Sequence, residues 1–360
     1  MINVTVSKRQ DVFVIYKIFL ATIHLSYAQV IKSSKCAHND KKNQGHVLLK
    51  SVFNTAAIYA ALTFSPVFAD EVIKSKSASE KKLQISSVFT NDFLGDGEDR
   101  WRTGSLDISA TFGGGDLREL PSTAWERYQL RFRGEIISPS NITTSVATDR
   151  QYAGVLGLGL FTHFQKNSYD MYYGGELVFV GENTGIGALQ RNFHEELNIA
   201  PPSAVILDNQ IANAIYPTIH GGVSKSFRAE KRLIRPFAEV QAGVESFARV
   251  GMDVILGGAL LNDFLLRDSV SGQLVSHSKA DDGNRFGFLM GADAAYVLDS
   301  NYLPNSGTLA FESFRPRARA GIVYQREKFD LFYGVSWLGK EFEAQNSSQV
   351  VGSLSIKVGF

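Results

Sequence analysis

From about Leu83 onward, apolar side chains recur at every second position with polar ones between them. In the final segment Val350, Leu354, Ile356, Val358 and Phe360 fall on one face, while Gln349, Ser353, Ser355 and Lys357 fall on the other. A strand turns successive side chains to opposite faces, so a period of two is its signature. The same rhythm sets Tyr128, Leu130, Phe132 and Ile136 against Arg127, Gln129, Arg131, Arg133 and Glu135. Later it sets Ala318, Ile322 and Tyr324 against Arg315, Arg317 and Arg319. In a soluble sandwich the apolar face would meet a second sheet. A charged face this regular, on strands this long, fits better with lipid outside and a polar lumen inside. The pattern predicts an all-β chain, a 12-stranded antiparallel transmembrane β-barrel with short helices in an extracellular loop.

The strands are expected near 83–91, 103–113, 125–137, 149–163, 168–180, 215–227, 233–247, 250–262, 283–298, 311–326, 328–343 and 347–360. An even count is what a single-chain bacterial barrel needs. No unbroken stretch beyond the first eighty residues is long and apolar enough to cross as a helix, which leaves a closed sheet to satisfy the backbone in lipid. Connections after odd-numbered strands emerge at one end of such a barrel, and both termini lie at the other. With the termini in the periplasm, 92–102, 138–148 and 181–214 share the outer rim. The stretch 263–282 follows an even strand and belongs to the periplasmic side.

The amino-terminal part reads differently. A positive flank from His46 to Lys50 and an apolar run from Val52 to Phe68 end in Val67-Phe68-Ala69-Asp70, the form of an export signal cleaved after Ala69. Residues 46–69 are thus expected to be a signal peptide, 1–45 an extension of unclear role from a start placed too far upstream, 70–82 a flexible lead-in, and 83–360 the outer-membrane barrel. Cys36, the only cysteine, lies in the part expected to be removed, so the mature protein would hold no disulfide. A net charge of +1, with Lys and Arg scattered along inward faces, argues against a nucleic-acid partner. An aromatic share of 11% and 32 glycines suit a barrel with aromatic girdles and curved strands.

Polar residues suited to chemistry gather on the shared rim. Asn91 and Asp92 end the first strand, Thr103 begins the second, and the long connection holds Gln190 and His194. Thr103 alternates in phase with Ser105, Asp107, Ser109 and Thr111, and Asp92 with Gln84, Ser86 and Thr90, so both are expected to face the lumen. Between Ala188 and Ile199 the spacing of Leu189, Phe193 and Leu197 predicts a helix whose apolar stripe packs on the barrel, ended by Pro201-Pro202. Gln190 and His194 lie one turn apart on its flank. An imidazole titrates near neutrality and can take a proton from water.

Asn91-Asp92, Asp99-Arg100, Thr103-Gly104, Ser138-Pro139-Ser140, Asp149-Arg150, and Gln190 with His194 four later together resemble the LpxR-type lipid A 3′-O-deacylases, twelve-stranded outer-membrane barrels. The resemblance covers Leu83 to about Gln210; beyond that only the strand rhythm agrees. It implies an outer-membrane hydrolase acting as a monomer on lipid A or lipopolysaccharide, with Ca2+-dependent cleavage of the 3′-linked acyloxyacyl ester. His194 would activate water, Asp92 would bind Ca2+, and Asn91, Thr103 and Gln190 would orient water, base or oxyanion. Two positions depart from the family pattern. Thr143 and Thr144 stand where the family has a Lys, and Ala200 stands where it has an acid after the His, with Glu195 and Glu196 as the nearest carboxyls. The alternative is a catalytically inactive or porin-like barrel of structural role. A phospholipase with a Ser-His-Asn site is not supported, because His220 precedes Gly221-Gly222 and His277-Ser278-Lys279 lies in a polar turn.

Overall fold

The computed structural model describes residues 82–358, apart from 117, 279–284, 305, 306, 308 and 328. The expected extension 1–45, signal peptide 46–69, nearly all of the lead-in, and Phe360 lie outside the described residues. Among the described residues twelve antiparallel strands close on themselves: β1 (Lys82–Asn91), β2 (Trp101–Gly113), β3 (Arg127–Ser138), β4 (Ala153–Lys166), β5 (Tyr169–Val180), β6 (Ala214–Ser224), β7 (Arg232–Ala242), β8 (Glu245–Gly257), β9 (Arg285–Ser300), β10 (Phe314–Arg326), β11 (Phe329–Leu338) and β12 (Gln349–Val358). Each pairs with its neighbours in sequence. The seam is β1 on β12, with Phe89 opposite Leu354, Thr90 opposite Ser353 and Asn91 opposite Gly352. A short strand, Phe227–Ala229, continues the pairing of β6 along β7.

The number of strands and the order of their rims agree with the alternation pattern, but one turn does not. The β7–β8 reversal falls at Gly243-Val244, so the strand expected at 250–262 runs five residues earlier, as Glu245–Gly257. Gly243 has a φ of 145°, which an L side chain rarely adopts, and the alternation passes through the turn unbroken, so periodicity does not reveal it.

The two faces separate as expected. Leu130, Leu158, Leu177, Ile219, Met252, Phe288 and Val335 are exposed toward lipid, while the Arg and acidic residues on alternate positions are buried inside. The inner charges neutralise one another: Arg133 meets Glu135 at 2.6 Å, Arg131 meets Glu176 at 3.2 Å, Arg317 meets Asp293 at 2.9 Å, and Arg249 meets Glu239 at 2.7 Å. Paired charges tolerate a lumen with little water where lone ones would not.

The lumen is not polar throughout. At the periplasmic end the inward positions turn apolar, and Leu233, Ile255, Leu289, Val323 and Phe332 form a buried cluster with Ala259, Leu260, Leu265 and Leu274. The last four belong to the connection after β8, which turns back into the barrel as a hairpin (Leu265–Arg267 paired with Leu274–Ser276). Its length, unusual for a periplasmic turn, is explained by this insertion. The Gln273 amide donates to the Ala320 and Val335 carbonyls at 3.2 and 3.1 Å, and Arg317 donates to the Ser269 and Val270 carbonyls at 3.0 and 3.1 Å. Gly272, at a φ of 73°, turns the hairpin where an added Cβ would stand 3.0 Å from the Arg317 and Arg319 guanidinium groups.

A lumen closed by this hairpin and crossed by ion pairs carries no sustained ion current in planar bilayers. A variant with residues 263–276 replaced by a short Gly-Ser turn gains conductance, measured as single-channel current.

Candidate active site at the outer rim

The site begins at the seam. After Asn91 the chain leaves β1 in a 3-10 turn, Asp92–Leu94, capped by the Asn91 side-chain oxygen, which accepts the Phe93 N–H at 2.8 Å. Asn91 lies beside Gly104 on β2, where an added Cβ would come within 3.2 Å of the Asn91 amide nitrogen. Asp92 is buried, and its carboxylate accepts from the Arg100 N–H at 2.8 Å, the Gln349 amide at 3.3 Å and the Thr103 hydroxyl at 3.0 Å.

The entry into β2 breaks strict alternation. Trp101 is opposite Ser138 and Gly104 opposite Ile136, three residues against two, which is a bulge. Trp101 has a φ of 52°, uncommon for a residue with a side chain, and its ring is buried with Leu303 and Phe342 of the neighbouring rim loops. The bulge decides which side chain goes where. Arg102 reaches the lumen acids Glu135 at 2.6 Å and Glu245 at 3.1 Å. Thr103, expected to follow Ser105 into the lumen, instead has its hydroxyl between two carboxylates, 3.0 Å from Asp92 and 2.6 Å from Asp99.

Asp99 joins the strand ends to the long connection. Its carboxylate lies 3.4 Å from the Gln190 amide nitrogen and 3.5 Å from His194 Nε2. Both partners sit on α1 (Ile186–Glu196), which starts two residues before the expected helix. A second short helix, α2 (Ala204–Asp208), follows the two prolines, with Ser203 as its cap. The face that α1 buries differs from the expectation. Ile186, Gly187, Gln190 and His194 are buried, whereas Leu189 and Phe193 of the supposed packing stripe are exposed. The polar pair wins the inner face because each member finds a partner there. Gln190 accepts from the Tyr152 hydroxyl at 2.9 Å, and burial raises that phenol's pKa, keeping it a donor.

His194 Nδ1 lies 2.9 Å from the Ala200 carbonyl, to which it donates. That bond holds the ring by Nδ1 and turns Nε2 toward Asp99. It also settles the position where an acid is missing: Glu195 and Glu196 stay exposed, and the backbone oxygen of Ala200 orients the ring. Thr143 and Thr144, at the missing Lys, turn their N–H groups to the Asn141 side chain at 2.9 and 3.0 Å.

Of the five residues named from sequence, Asp92, Thr103, Gln190 and His194 come together around Asp99, the first three by hydrogen bonds and His194 by a 3.5 Å contact, and Asn91 caps the turn beside them. Asp99, the link, was quoted in the sequence pattern but given no role. It lies in the rim loop ahead of β2, where strand alternation assigns no side chain a direction.

The electrostatics are lopsided. Burial, and next the Asp99 carboxylate, push Asp92 well above the ordinary 3.8, against the Arg100 N–H and Thr103 hydroxyl that favour its anion. The guanidinium of Arg100 turns to Asp96 at 3.2 Å and stacks over Trp101. Two close carboxylates, Asp92 and Asp99, offer oxygen donors of the kind a hard divalent cation prefers. Among the described residues no set of three or more His, Cys, Asp or Glu side chains forms a complete metal cage, so backbone oxygens or water would have to fill the remaining positions.

Residues 56–360 match the family described as Outer membrane protein LpxR. Among solved structures the chain is similar to LpxR from Salmonella typhimurium, with 17% identity and a TM-score of 0.63 over 78% of this chain and 100% of that one. It is also similar to the NanC porin, with 6% identity and a TM-score of 0.37 over 78% of this chain and 100% of that one. The translocator domain of the autotransporter NalP from Neisseria meningitidis gives 9% identity and a TM-score of 0.37 over 85% and 98%. No curated protein matches the chain.

Because folded Asp92 binds its proton more tightly than the unfolded chain does, the cation-free protein loses stability as pH rises from the ordinary 3.8 through the raised value. Asp92→Asn removes that slope and raises the urea midpoint at neutral pH, measured in chelator across the acid-to-neutral range.

Proposed function

The chain belongs to the LpxR family of outer-membrane proteins, the lipid A 3′-O-deacylase family, and from that premise we propose that it hydrolyses the 3′-linked acyloxyacyl ester of lipid A with water activated by His194. The observation that carries this reading is the contact of His194 with Asp99, which is itself tied through Thr103 to Asp92. A base and two acidic oxygen ligands thus share one small volume on the rim.

The residues divide the work as follows. Ala200 holds the imidazole by its Nδ1–H, leaving Nε2 to accept a proton from a water beside it. As the ring becomes cationic, the Asp99 carboxylate 3.5 Å away stabilises it, and later the ring returns the proton to the leaving alkoxide. Asp99 is held by Thr103 and Gln190, and Gln190 by Tyr152, so the imidazole and its acid keep their relation before substrate arrives. The Asn91 amide N–H, beside Gly104, is assigned to the ester oxygen. Asp92, with Asp99, would hold Ca2+, which when bound supplies positive charge that polarises the ester carbonyl and favours its oxyanion. The porin-like alternative asks for an open lumen, and the inserted hairpin and ion pairs argue against it.

Purified protein incubated with hexa-acylated lipid A and calcium removes the mass of the 3′-linked acyl group, and chelator stops the loss. His194→Ala lowers the rate by about 10²–10⁴-fold, the usual worth of a general base, with the heat-modifiable gel mobility of the barrel unchanged. Unchanged lipid with and without calcium, from a folded barrel, contradicts the assignment.

A further inference from the structure

At the periplasmic end the outward faces of the strands finish in exposed aromatic side chains: Trp125 ahead of β3, Tyr169 and Tyr173 on β5, Phe227 on the short strand after β6, and Phe329 at the start of β11. Their direction follows from their neighbours. Asp170, next to Tyr169, lies 3.7 Å from Arg235 inside the lumen, which turns Tyr169 outward. Leu233 belongs to the buried lumen cluster, so Ile234 looks outward, and Phe227, paired with it across the ladder, does the same. Trp125 and Tyr173 meet edge to face at 5.8 Å. Rings collected at the ends of membrane strands mark the level of the lipid headgroups.

The turns at this level between β4 and β7 are cationic. Lys166 flanks the β4–β5 turn, and the β6–β7 turn carries Lys225, Arg228, Lys231 and Arg232, with Glu230 as its one carboxylate. Inside the barrel the guanidinium groups meet carboxylates, but here that pairing stops. Arg228 donates to the Leu261 carbonyl at 3.0 Å, and among the described residues no carboxylate partners Lys166, Lys225, Lys231 or Arg232. Lys225 stands over two rings of the collar, its Nζ 4.9 Å from the centroid of Tyr169 and 5.5 Å from that of Phe227. Such contact holds an ammonium group at the wall without neutralising it. A charged turn alone needs only water. This one is pinned at headgroup height beside exposed rings, and an anionic lipid answers both features, with phosphate for the cations and acyl chain for the rings.

We propose that the outer face of β5 to β7 at the periplasmic end is a binding surface for an anionic phospholipid of the periplasmic leaflet, its phosphate held by Lys225, Lys231 and Arg232 and its acyl chains lying along Phe227, Ile234 and Tyr173. A headgroup with its own ammonium brings a further positive charge among these cations and is disfavoured. A glycerol headgroup leaves the phosphate charge uncompensated and is favoured. Attraction of this kind is screened over about 8 Å in physiological salt, so it selects lipids in contact with the turns. The surface lies at the opposite end of the barrel from His194 and Asp92. The proposal stands on the outer-membrane barrel and not on the deacylase reading, so either can fail alone.

The test uses the full chain reconstituted in phosphatidylcholine vesicles that carry a trace of spin-labelled phosphatidylglycerol or, in parallel, spin-labelled phosphatidylcholine. The motionally restricted fraction of each label, read by electron paramagnetic resonance, reports contact with the protein. The unsubstituted chain is expected to retain phosphatidylglycerol severalfold more strongly than phosphatidylcholine. Lys225→Gln combined with Lys231→Gln and Arg232→Gln brings the two labels to equality, whereas Lys340→Gln on the outer rim leaves the preference intact, and both variants keep the heat-modifiable mobility of the barrel. Without any substitution, a phosphatidylglycerol with a photoactivatable headgroup crosslinks within 225–232. Equal retention of the two labels by the unsubstituted chain overturns the proposal, as does a preference that survives the triple substitution or crosslinks confined to the outer rim. Capture of soluble polyglutamate by these turns with no preference among lipids would mean an acidic periplasmic partner instead, and overturns it too.

Discussion

Everything in this fold depends on closing the sheet. In hydrocarbon an unpaired backbone N–H or C=O has no water to turn to, so the first and last strands must find each other. The seam of β1 on β12 does this, and it has a local consequence. It brings Gln349 at the start of β12 against the turn that follows β1, where its amide bonds both the Asp92 carboxylate and, at 2.6 Å, the Arg100 carbonyl. Closure of the cylinder and placement of the acidic residue are one event.

Closure also creates an inside, and the chain fills it in two ways. Across the middle, Arg and carboxylate side chains from facing strands neutralise one another; toward the periplasm, apolar side chains receive the inserted hairpin. The first was legible from sequence because it follows the period of two, in residues such as Arg131, Arg133 and Glu135. The second was not. Leu233, Ile255 and Val323 occupy lumen positions, but an alternation pattern has no means of distinguishing an inward Leu that meets a plug from an irregularity in the rhythm. The long connection after β8 was visible as a length without a reason, and the plug is the reason.

The site shows the same division. Strand parity placed the ends of β1 and β2 and the long connection on one rim, and the residues named there are gathered in space. What parity could not supply was orientation near the strand ends. The bulge between Trp101 and Gly104 sends Arg102 to the lumen and Thr103 to the rim carboxylates, and one extra residue in a strand leaves no mark in hydropathy. Helix α1 reverses the usual reading of an amphipathic segment, burying Gln190 and His194 and exposing Leu189, because its inner face meets hydrogen-bond partners. Asp99 escaped assignment since loop residues carry no period; contacts alone reveal it as the hub.

The central claim is that His194 and the Asp92–Asp99 carboxylate pair form one metal-assisted centre on the outer rim. A crystal structure of the protein grown with calcium tests it most directly. The account predicts a cation bound by Asp92 and Asp99 oxygens, with His194 still turned toward it and held by the Ala200 carbonyl. A cation bound elsewhere, or a His194 ring parted from Asp99 once the carboxylates are occupied, would contradict it.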